Sequence, residues 1–262
     1  MQQRHTNKEQ YFNEQALTTK KFVIPFIENF LPINNETSVL EIGCGEAGNL
    51  KPFLELGCMA TGIDISGSRI EVAKEFLGNQ YSNDRLELIA EDIYKIPANY
   101  NKKFDLIIMR DVLEHIPNQE YFMQYVKRFL KPEGKFFLAF PPWYNPFGGH
   151  QQITSSKILP KLPFFHLLPM PVYKFILKLF NENQGVINEL VSIKKTGISI
   201  DRFSKILKKN NYKILKKAFY FINPNYETKF GLKPRKQIKL ITAIPHIRNY
   251  FVTAAYYLIS LK

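Results

Sequence analysis

The sequence has little cysteine and no long apolar run. Two cysteines among 262 residues exclude a disulfide framework and a cysteine-rich metal site, and they are compatible with a reducing compartment. Lysines interrupt the longest apolar stretch, residues 162–180, so a membrane-spanning helix is not expected. The first ten residues are polar and charged, unlike a secretory signal. We therefore expect a cytoplasmic protein, soluble or held peripherally at the inner face of a membrane.

Acidic residues are scarce in the second half of the chain. Residues 151–262 hold 20 Lys+Arg and 4 Asp+Glu, a net charge of +16, whereas residues 1–150 hold 16 and 19, a net charge of −3. The two halves sum to the total charge of +13. Such asymmetry indicates that the second half meets something anionic, such as phospholipid, a phosphorylated substrate or nucleic acid.

Short apolar segments alternate with helical patterns in the first part of the chain. Strands are predicted at 38–42, 59–63, 85–90, 104–109 and 135–140, the last after a turn at 131–134. Helices are predicted at 9–30 with a break at Pro25, at 49–56, at 66–77 with Ser66 as cap, and at 117–130. This alternation is typical of βαβ units in a parallel sheet. Beyond 141 the pattern predicts helices at 172–180, 185–194 and 199–210, strands at 212–222 and 250–259, and an irregular basic segment at 223–249.

A glycine-rich turn, Gly43 to Gly48, follows the first predicted strand. The pattern G-x-G-x-x-G is weak alone, but the second strand ends at Asp64, 21 residues beyond Gly43. A carboxylate there can accept hydrogen bonds from both hydroxyls of an adenosine ribose, the alternative being a helix cap. Asp92, after the third strand, could accept from an adenine amino group while Ile93 covers the ring, or be a solvated loop acid. Glu46 would repel a pyrophosphate, which favours a cofactor without phosphates.

Five ordered blocks carry a family resemblance. They are VLEIGCG at 39–45, GIDIS at 62–66, EDI at 91–93, FDLIIMRDVLEHIP at 104–117 and LKPEG at 130–134. Together they resemble the class I S-adenosylmethionine-dependent methyltransferases, and most of all the broad group that acts on small molecules. The resemblance implies an α/β, Rossmann-like fold with a mostly parallel seven-stranded sheet, an antiparallel C-terminal strand and an inserted helical lid.

The resemblance also implies which residues hold the cofactor, S-adenosylmethionine. The backbone of Gly43, Cys44 and Gly45 would contact its methionine portion, with Glu41 supporting the turn. Asp64 would bind the ribose hydroxyls, and Ile65 would flank the adenine opposite Asp92 and Ile93. Arg110 would offer its backbone carbonyl, with Val112 close by; its guanidinium should point away from the sulfonium or bind an anionic substrate group. A single domain is expected, with a helical cover (1–36), a cofactor-binding core (37–140), a lid or substrate insertion (141–197) and a C-terminal helix and strand pair with a basic insert (198–262).

Two histidines are candidates for catalysis, His115 and His150. Transfer to a protonated acceptor needs a base, and histidine titrates near neutral pH. His115 could equally order its loop. His150 follows an aromatic, proline- and glycine-rich run after the fifth strand, at the edge where open α/β sheets bind ligands. The histidines His5, His166 and His246 have no supporting neighbours. No group of residues has metal-ligand spacing, so no metal is predicted.

These observations predict methyl transfer from S-adenosylmethionine to a small-molecule or lipid-linked acceptor. Two alternatives stay open: an RNA-modifying methyltransferase that uses the basic C-terminal half, and a regulatory module that binds the cofactor without turnover. The apolar, lysine-containing segment 160–195 is either a cap over the site or an amphipathic element that meets an anionic membrane. The oligomeric state cannot be predicted, and nucleic acid is a less favoured partner than a small molecule.

Overall fold

A computed structural model describes residues 7–262 and shows one eight-stranded mixed sheet between helices. The strand order is β3-β2-β1-β4-β5-β8-β6-β7. The strands are β1 (Ser38–Ile42), β2 (Met59–Asp64), β3 (Leu86–Ala90), β4 (Phe104–Arg110), β5 (Leu130–Phe140), β6 (Tyr212–Ile222), β7 (Arg235–Lys236) and β8 (Ala254–Leu261). The first five strands are parallel, and β8 is antiparallel to both β5 and β6. The predicted α/β, Rossmann-like fold is confirmed, with the two-residue edge strand β7 added to the expected seven.

Helices cover both faces of the sheet. They are α1 (Lys8–Thr18), α2 (Ile24–Ile27), α3 (Lys51–Glu55), α4 (Gly67–Ala73), α5 (Gln119–Tyr125), α6 (Met170–Leu179), α7 (Gln184–Thr196), α8 (Ile200–Lys209), α9 (Asn225–Phe230) and α10 (Lys239–Ala243). A π-helical stretch, Thr19–Val23, joins α1 to α2, and Pro25 lies in the first turn of α2. Proline has no N–H to donate, so the helix is divided where the sequence predicts.

Three local predictions are wrong. Residues 131–134 do not form a turn, because β5 starts at Leu130 and passes through them with a register irregularity against β4. The segment 223–249 is not irregular throughout, since it contains α9, β7 and α10, and the last strand starts at Ala254 after a 3₁₀ turn at Ile247–Tyr250. Ser66 occupies the N-cap position of α4 without a side-chain capping bond.

The sheet divides the main hydrophobic core into two layers. Adjacent residues of β5 alternate between them: Phe136 packs into one cluster and Phe137 into the other, and both are fully buried. All five residues of β1 are buried, as expected for a central parallel strand. Each fully buried large apolar side chain contributes about 1.5–3 kcal/mol of transfer free energy. This packing holds the carboxyl ends of β1, β2, β4 and β5 firmly along one edge of the sheet.

The segment between β5 and α8, which we call the lid, has a small core of its own. Tyr173 and Leu177 of α6 face Ile187, Leu190 and Val191 of α7 in this third cluster. The two helices therefore pack through one stripe each and form a separate layer beyond the sheet edge. Within residues 7–262, no helix has both the length and the apolar character needed to cross a membrane.

Candidate active site

In the glycine-rich turn after β1, the backbone adopts positive φ values that disfavour residues with a side chain. Gly43 and Gly45 have φ values of +71° and +53°, where glycine is favoured. A Cβ at Gly43 would lie 2.6 Å from Cγ2 of Val112. The N–H groups of Gly43 and Cys44 both donate to the carbonyl of Ile63, at 2.8 and 3.1 Å. The turn is thus packed against the end of β2 and the loop after β4.

Helix α1 covers this turn from above. A Cβ at Gly48 would lie 2.5 Å from the Phe12 carbonyl oxygen, so α1 approaches the turn as closely as a glycine allows. The N-terminal segment therefore closes one side of the site, as expected for a helical cover.

Asp64 ends β2 beside the turn. Its Oδ2 accepts from the Gly45 N–H and its Oδ1 accepts from the Ser66 N–H, both at 2.8 Å. Each carboxylate oxygen has a further lone pair and can accept a second hydrogen bond. The neighbouring Ile65 side chain is 78% exposed, which leaves an apolar surface next to a buried carboxylate. These groups suit a ribose with an adjoining flat ring.

Asp92 and Ile93 follow β3 and start a 3₁₀ turn. Asp92 Oδ1 accepts from the Tyr94 N–H at 3.0 Å, so this carboxylate caps the turn. The Ile93 side chain belongs to the buried core and is 7% exposed. The two isoleucines expected to enclose an adenine therefore differ, because Ile65 is open and Ile93 is packed inside.

Arg110, the last residue of β4, directs its guanidinium into a buried polar network. It donates to Thr19 Oγ1 at 3.0 Å and to the side-chain oxygens of Asn49 and Asn225. Asn49 also donates to Glu41 Oε1 at 2.6 Å. The two asparagines and Thr19 could not be predicted from the sequence, since nothing in their spacing links them to position 110. The network ties the N-terminal helices, the glycine turn and α9 together.

Glu41 is the acidic residue of the Arg110 network. Burial raises its pKa to about 8, against the opposing effects of the Asn49 hydrogen bond and the Arg110 charge. A protonated Glu41 carboxyl can remain buried without an ion pair. Through Asn49, Glu41 is linked to the segment that follows the glycine turn.

A narrow cleft opens beside Arg110, between α1 and α9. Tyr11, Asp111 and Asn225 line it together with Arg110. Burial, with the charge of Asp111, raises the pKa of Tyr11 to about 12. The cleft leads from the surface toward the residues after β4, so a ligand that enters it would meet both polar and ionisable groups.

Glu114, His115 and His150 form a cluster of ionisable groups that joins the loop after β4 to the lid. His150 Nε2 lies 3.6 Å from Glu114 Oε1, and the rings of His115 and His150 are 5.1 Å apart between centroids. Val112 of the same loop touches the glycine turn. The structure therefore brings both predicted catalytic histidines to the edge that holds the turn.

The surroundings of the two histidines shift their pKa values in opposite directions. Burial alone would lower the pKa of His150, but Glu114, with Asp111 and Glu189, outweighs burial and raises this pKa above its ordinary value. His115 has an exposed face, yet desolvation by the protein and the nearby His150 lower its pKa. Near neutral pH, His150 is the more basic of the two.

Glu114 is the member that sequence reasoning missed. Its side chain is buried, and neither carboxylate oxygen accepts a hydrogen bond from any residue in 7–262. A buried carboxylate without hydrogen-bond partners is costly and calls for a charge or a ligand nearby. In the sequence, only its position next to His115 indicated a role for Glu114. Its contact with His150 is seen only in the folded structure.

These three groups could also hold a divalent cation. One oxygen of Glu114 and one nitrogen from each histidine lie within 4.8 Å of one another. A carboxylate with two imidazoles suits zinc and related transition metals. The prediction of no metal rested on sequence spacing, which could not register a ligand 35 positions beyond His115.

Trp143 joins the two ends of the lid to its middle. Its backbone N–H donates to the Ile198 carbonyl at 2.8 Å, and its carbonyl oxygen lies 2.7 Å from His166 Nε2. A Cβ at Gly197 would lie 2.4 Å from the Trp143 ring. Burial lowers the pKa of His166 to about 4, so this histidine is a neutral structural residue. His246 is exposed, and His5 lies outside the described residues.

Comparison with known proteins identifies the core. A family model described as a methyltransferase domain matches residues 33–158. The chain is 32% identical over 108 residues to sterol 4-C-methyltransferase strm-1 of Caenorhabditis elegans, covering 41% of this chain and 32% of that protein. It is 33% identical over 112 residues to the ubiquinone biosynthesis O-methyltransferase of Bartonella tribocorum, covering 42% and 43%. The matched region thus spans less than half the length of these curated relatives.

Solved structures share the fold over nearly the whole chain. The geranyl diphosphate C-methyltransferase of Streptomyces coelicolor, in complex with Mg²⁺, geranyl diphosphate and S-adenosyl-L-homocysteine, superposes with a TM-score of 0.57 at 12% identity, covering 92% of this chain and 80% of that one. Magnesium protoporphyrin IX methyltransferase of Synechocystis, with bound S-adenosylhomocysteine, gives 0.56 at 15% identity, covering 95% and 84%.

The residues present fit the cofactor that the family uses. A strained glycine turn, a buried carboxylate with free lone pairs and an open apolar side chain lie together at the ends of β1 and β2. Glu46 is buried in the turn that precedes α3 and lies 3.8 Å from Arg69, so a carboxylate stands where a pyrophosphate-binding turn would offer N–H groups. Residues 33–158 are therefore a methyltransferase domain of the class I, S-adenosylmethionine-dependent type.

Proposed function

We propose that this chain transfers the methyl group of S-adenosylmethionine to a small-molecule acceptor whose reacting atom carries a proton at neutral pH. The observation behind the proposal is the pairing of His150 with the buried Glu114, at the sheet edge that holds the glycine turn. A base with a raised pKa is needed when the acceptor must lose a proton, and is not needed for an unprotonated nucleophile.

S-adenosylmethionine, when bound, supplies an electrophilic methyl group on a positively charged sulfur. The glycine turn, Asp64 and Ile65 would hold the cofactor, and the buried Arg110 network keeps the turn in place. In-line transfer requires the acceptor atom about 3 Å from the methyl carbon, in a dry site. The loop from Trp143 to His150 and the lid behind it would orient the acceptor and exclude water.

His150 would take the acceptor's proton at Nδ1, because its Nε2 faces Glu114. Glu114 would then stabilise the resulting imidazolium, because its carboxylate lies 3.6 Å from Nε2 and has no hydrogen-bond partner among the residues described. His115, with its lowered pKa, would stay neutral and limit the movement of the His150 ring.

We also propose a chemical class for the acceptor. The curated relatives are named for sterol and ubiquinone-pathway acceptors, and one structural neighbour for geranyl diphosphate. These names share apolar, lipid-like bodies. The apolar lid of this chain, described below, would suit an acceptor of that kind, so we propose a lipid-linked or otherwise largely apolar acceptor.

The test is a screen of cell extract with S-adenosylmethionine that carries a labelled methyl group. We expect label in a small, solvent-extractable product, together with stoichiometric S-adenosylhomocysteine, and the same yield after nuclease treatment. Label in RNA would instead support the nucleic-acid alternative. Cofactor binding without S-adenosylhomocysteine formation in any fraction would support the non-catalytic module. Assays with a chelator and with added Zn²⁺ or Mn²⁺ would separate a proton-transfer role of the histidine cluster from a metal-binding one.

A further inference from the structure

The outer face of α6 presents large apolar side chains to solvent. Tyr173 and Leu177 point inward, whereas Phe175 and Leu179, each 64% exposed, share the opposite stripe with Val172. A helix that only capped the site would bury its apolar side and show polar residues outside. This helix has apolar stripes on both sides.

A second exposed apolar run lies in the C-terminal segment before β8. Its exposed members include the most solvent-accessible leucine of the segment, Leu240, at 73%. The others are Ile238, Ile244, Ile247, Tyr250 and Phe251. Scattered exposed apolar residues are normal, but a contiguous set marks an interaction surface.

The lid contacts the C-terminal segment through aromatic side chains. Tyr250 lies 6.2 Å from Phe164 and 5.5 Å from Tyr144, measured between ring centroids. Phe164 belongs to the lid, and the nearby lid residues Leu162 and Ile158 are exposed as well. We call the exposed apolar residues of the lid and of the C-terminal segment together the lid-side surface.

The two segments that form this surface are rich in cationic residues, and the acid that contacts the C-terminal segment from α8, Asp201, is already paired with Arg248. Residues 134–181 contain five lysines and no Asp or Glu, and residues 228–262 contain seven Lys+Arg and no Asp or Glu. Lys174 and Lys178 lie on α6 beside the outer stripe, and Lys157 and Lys161 are exposed in the preceding lid segment. Apolar groups flanked by lysines, without acids, complement the surface of an anionic bilayer.

We propose that the lid-side surface docks on an anionic phospholipid bilayer, with Phe175, Leu179 and Leu240 entering the interfacial region and the lysines facing the headgroups. A second copy of the chain fits less well, because a two-fold contact through this face would oppose like charges. RNA also fits less well, because Ile158, Leu179 and Leu240, which are among the most exposed members of the surface, cannot stack on bases. The inference goes beyond methyl transfer and concerns where the protein collects an apolar acceptor.

The test is flotation of the full chain with vesicles of phosphatidylcholine alone or with about 30% phosphatidylglycerol, at low and high salt. Because each lysine near an anionic surface contributes on the order of 1 kcal/mol, we expect binding to the anionic vesicles at least tenfold tighter than to the neutral ones, and weakened by salt. Lys174→Glu with Lys178→Glu should lower partitioning to anionic vesicles tenfold or more. Phe175→Ser with Leu179→Ser should lower it by a similar factor.

The matched control is Lys205→Glu with Lys208→Glu. These exposed lysines lie on α8, outside the lid and the C-terminal segment, and the change in net charge is the same. We expect less than a threefold effect. Equal loss in this control, equal binding to neutral vesicles, no binding at all, or a dimer in light scattering that Phe175→Ser with Leu179→Ser converts to monomer would overturn the proposal.

Failure of docking and failure of methyl transfer are distinguishable. Binding to vesicles is measured without cofactor or acceptor. The melting temperature and S-adenosylmethionine affinity of each lid variant should equal those of the wild type, because none of the four substituted α6 residues lies in the site.

Discussion

The two halves of the molecule hold their functional groups by different means. Before position 141 the site is made largely of backbone: two positive-φ glycines, strand ends and a carboxylate held by two N–H groups. Beyond it the site depends on side chains that meet only through the fold, such as His150 against Glu114 and Trp143 against His166. We infer that the first half determines the cofactor and the second half determines the acceptor. The following predictions test this division.

The largest effect is expected at the cofactor half, from Asp64→Ala. A carboxylate that accepts from two ribose hydroxyls and also anchors Gly45 loses charge-assisted hydrogen bonds of about 1.5–3 kcal/mol each. We expect S-adenosylmethionine affinity to fall about 100-fold by calorimetry. Asp64→Asn should show a smaller loss. Unchanged affinity in the alanine variant would remove the central residue of the cofactor site.

A smaller effect is expected at the acceptor half, from Glu114→Gln. Without this charge, burial dominates and the pKa of His150 should fall, so the acidic limb of the kcat/KM profile should move to lower pH. The plateau rate should fall by about tenfold, because the imidazolium loses its counter-charge. S-adenosylmethionine affinity should not change. Glu189→Gln, a weaker contributor to the same pKa, is the matched control and should shift the profile less; a profile at wild-type pH in Glu114→Gln would contradict the pairing.

Substitutions of Ile65 and Ile93 test which of the two isoleucines contacts the adenine of the bound cofactor. Ile65→Ala removes an exposed contact worth about 1 kcal/mol to a bound ring, so affinity should fall about fivefold with no change in melting temperature. Ile93→Ala opens a cavity in the core and should lower the free energy of unfolding by about 2–4 kcal/mol. The opposite pattern would mean that Ile93, and not Ile65, supplies the adenine surface.

The last prediction concerns stability and not activity: Glu41→Gln should change the pH dependence of the free energy of unfolding. Because the pKa of Glu41 is raised from 4.5 to about 8, the folded state holds this proton more tightly than the unfolded state. The free energy of unfolding of the cofactor-free protein therefore falls as pH rises from about 5 to about 8. The glutamine variant cannot ionise and should gain stability relative to the wild type across that window. Urea titrations at pH 5, 6.5 and 8 measure it, and parallel curves would contradict the assignment.

The same division explains what the sequence could predict. Strand ends, the glycine turn and Asp64 follow from local patterns, because parallel strands place their carboxyl ends together wherever the alternation holds. Glu114 as a partner of His150, and the Arg110 network with Asn49 and Asn225, depend on residues up to 115 positions apart. No periodicity encodes such contacts. The prediction of a turn at 131–134 is wrong because Pro132 and Gly134 are typical of turns, whereas β5 accommodates both with a register irregularity against β4.

His150→Gln tests the division most directly, when cofactor affinity and labelled-methyl transfer are measured on one preparation. For His150→Gln we expect S-adenosylmethionine affinity within twofold of the wild type. We expect methyl transfer to the extract product to be slower by about 100-fold or more, because a general base is lost. Transfer at the wild-type rate, or loss of cofactor affinity with the rate on bound cofactor unchanged, would contradict it.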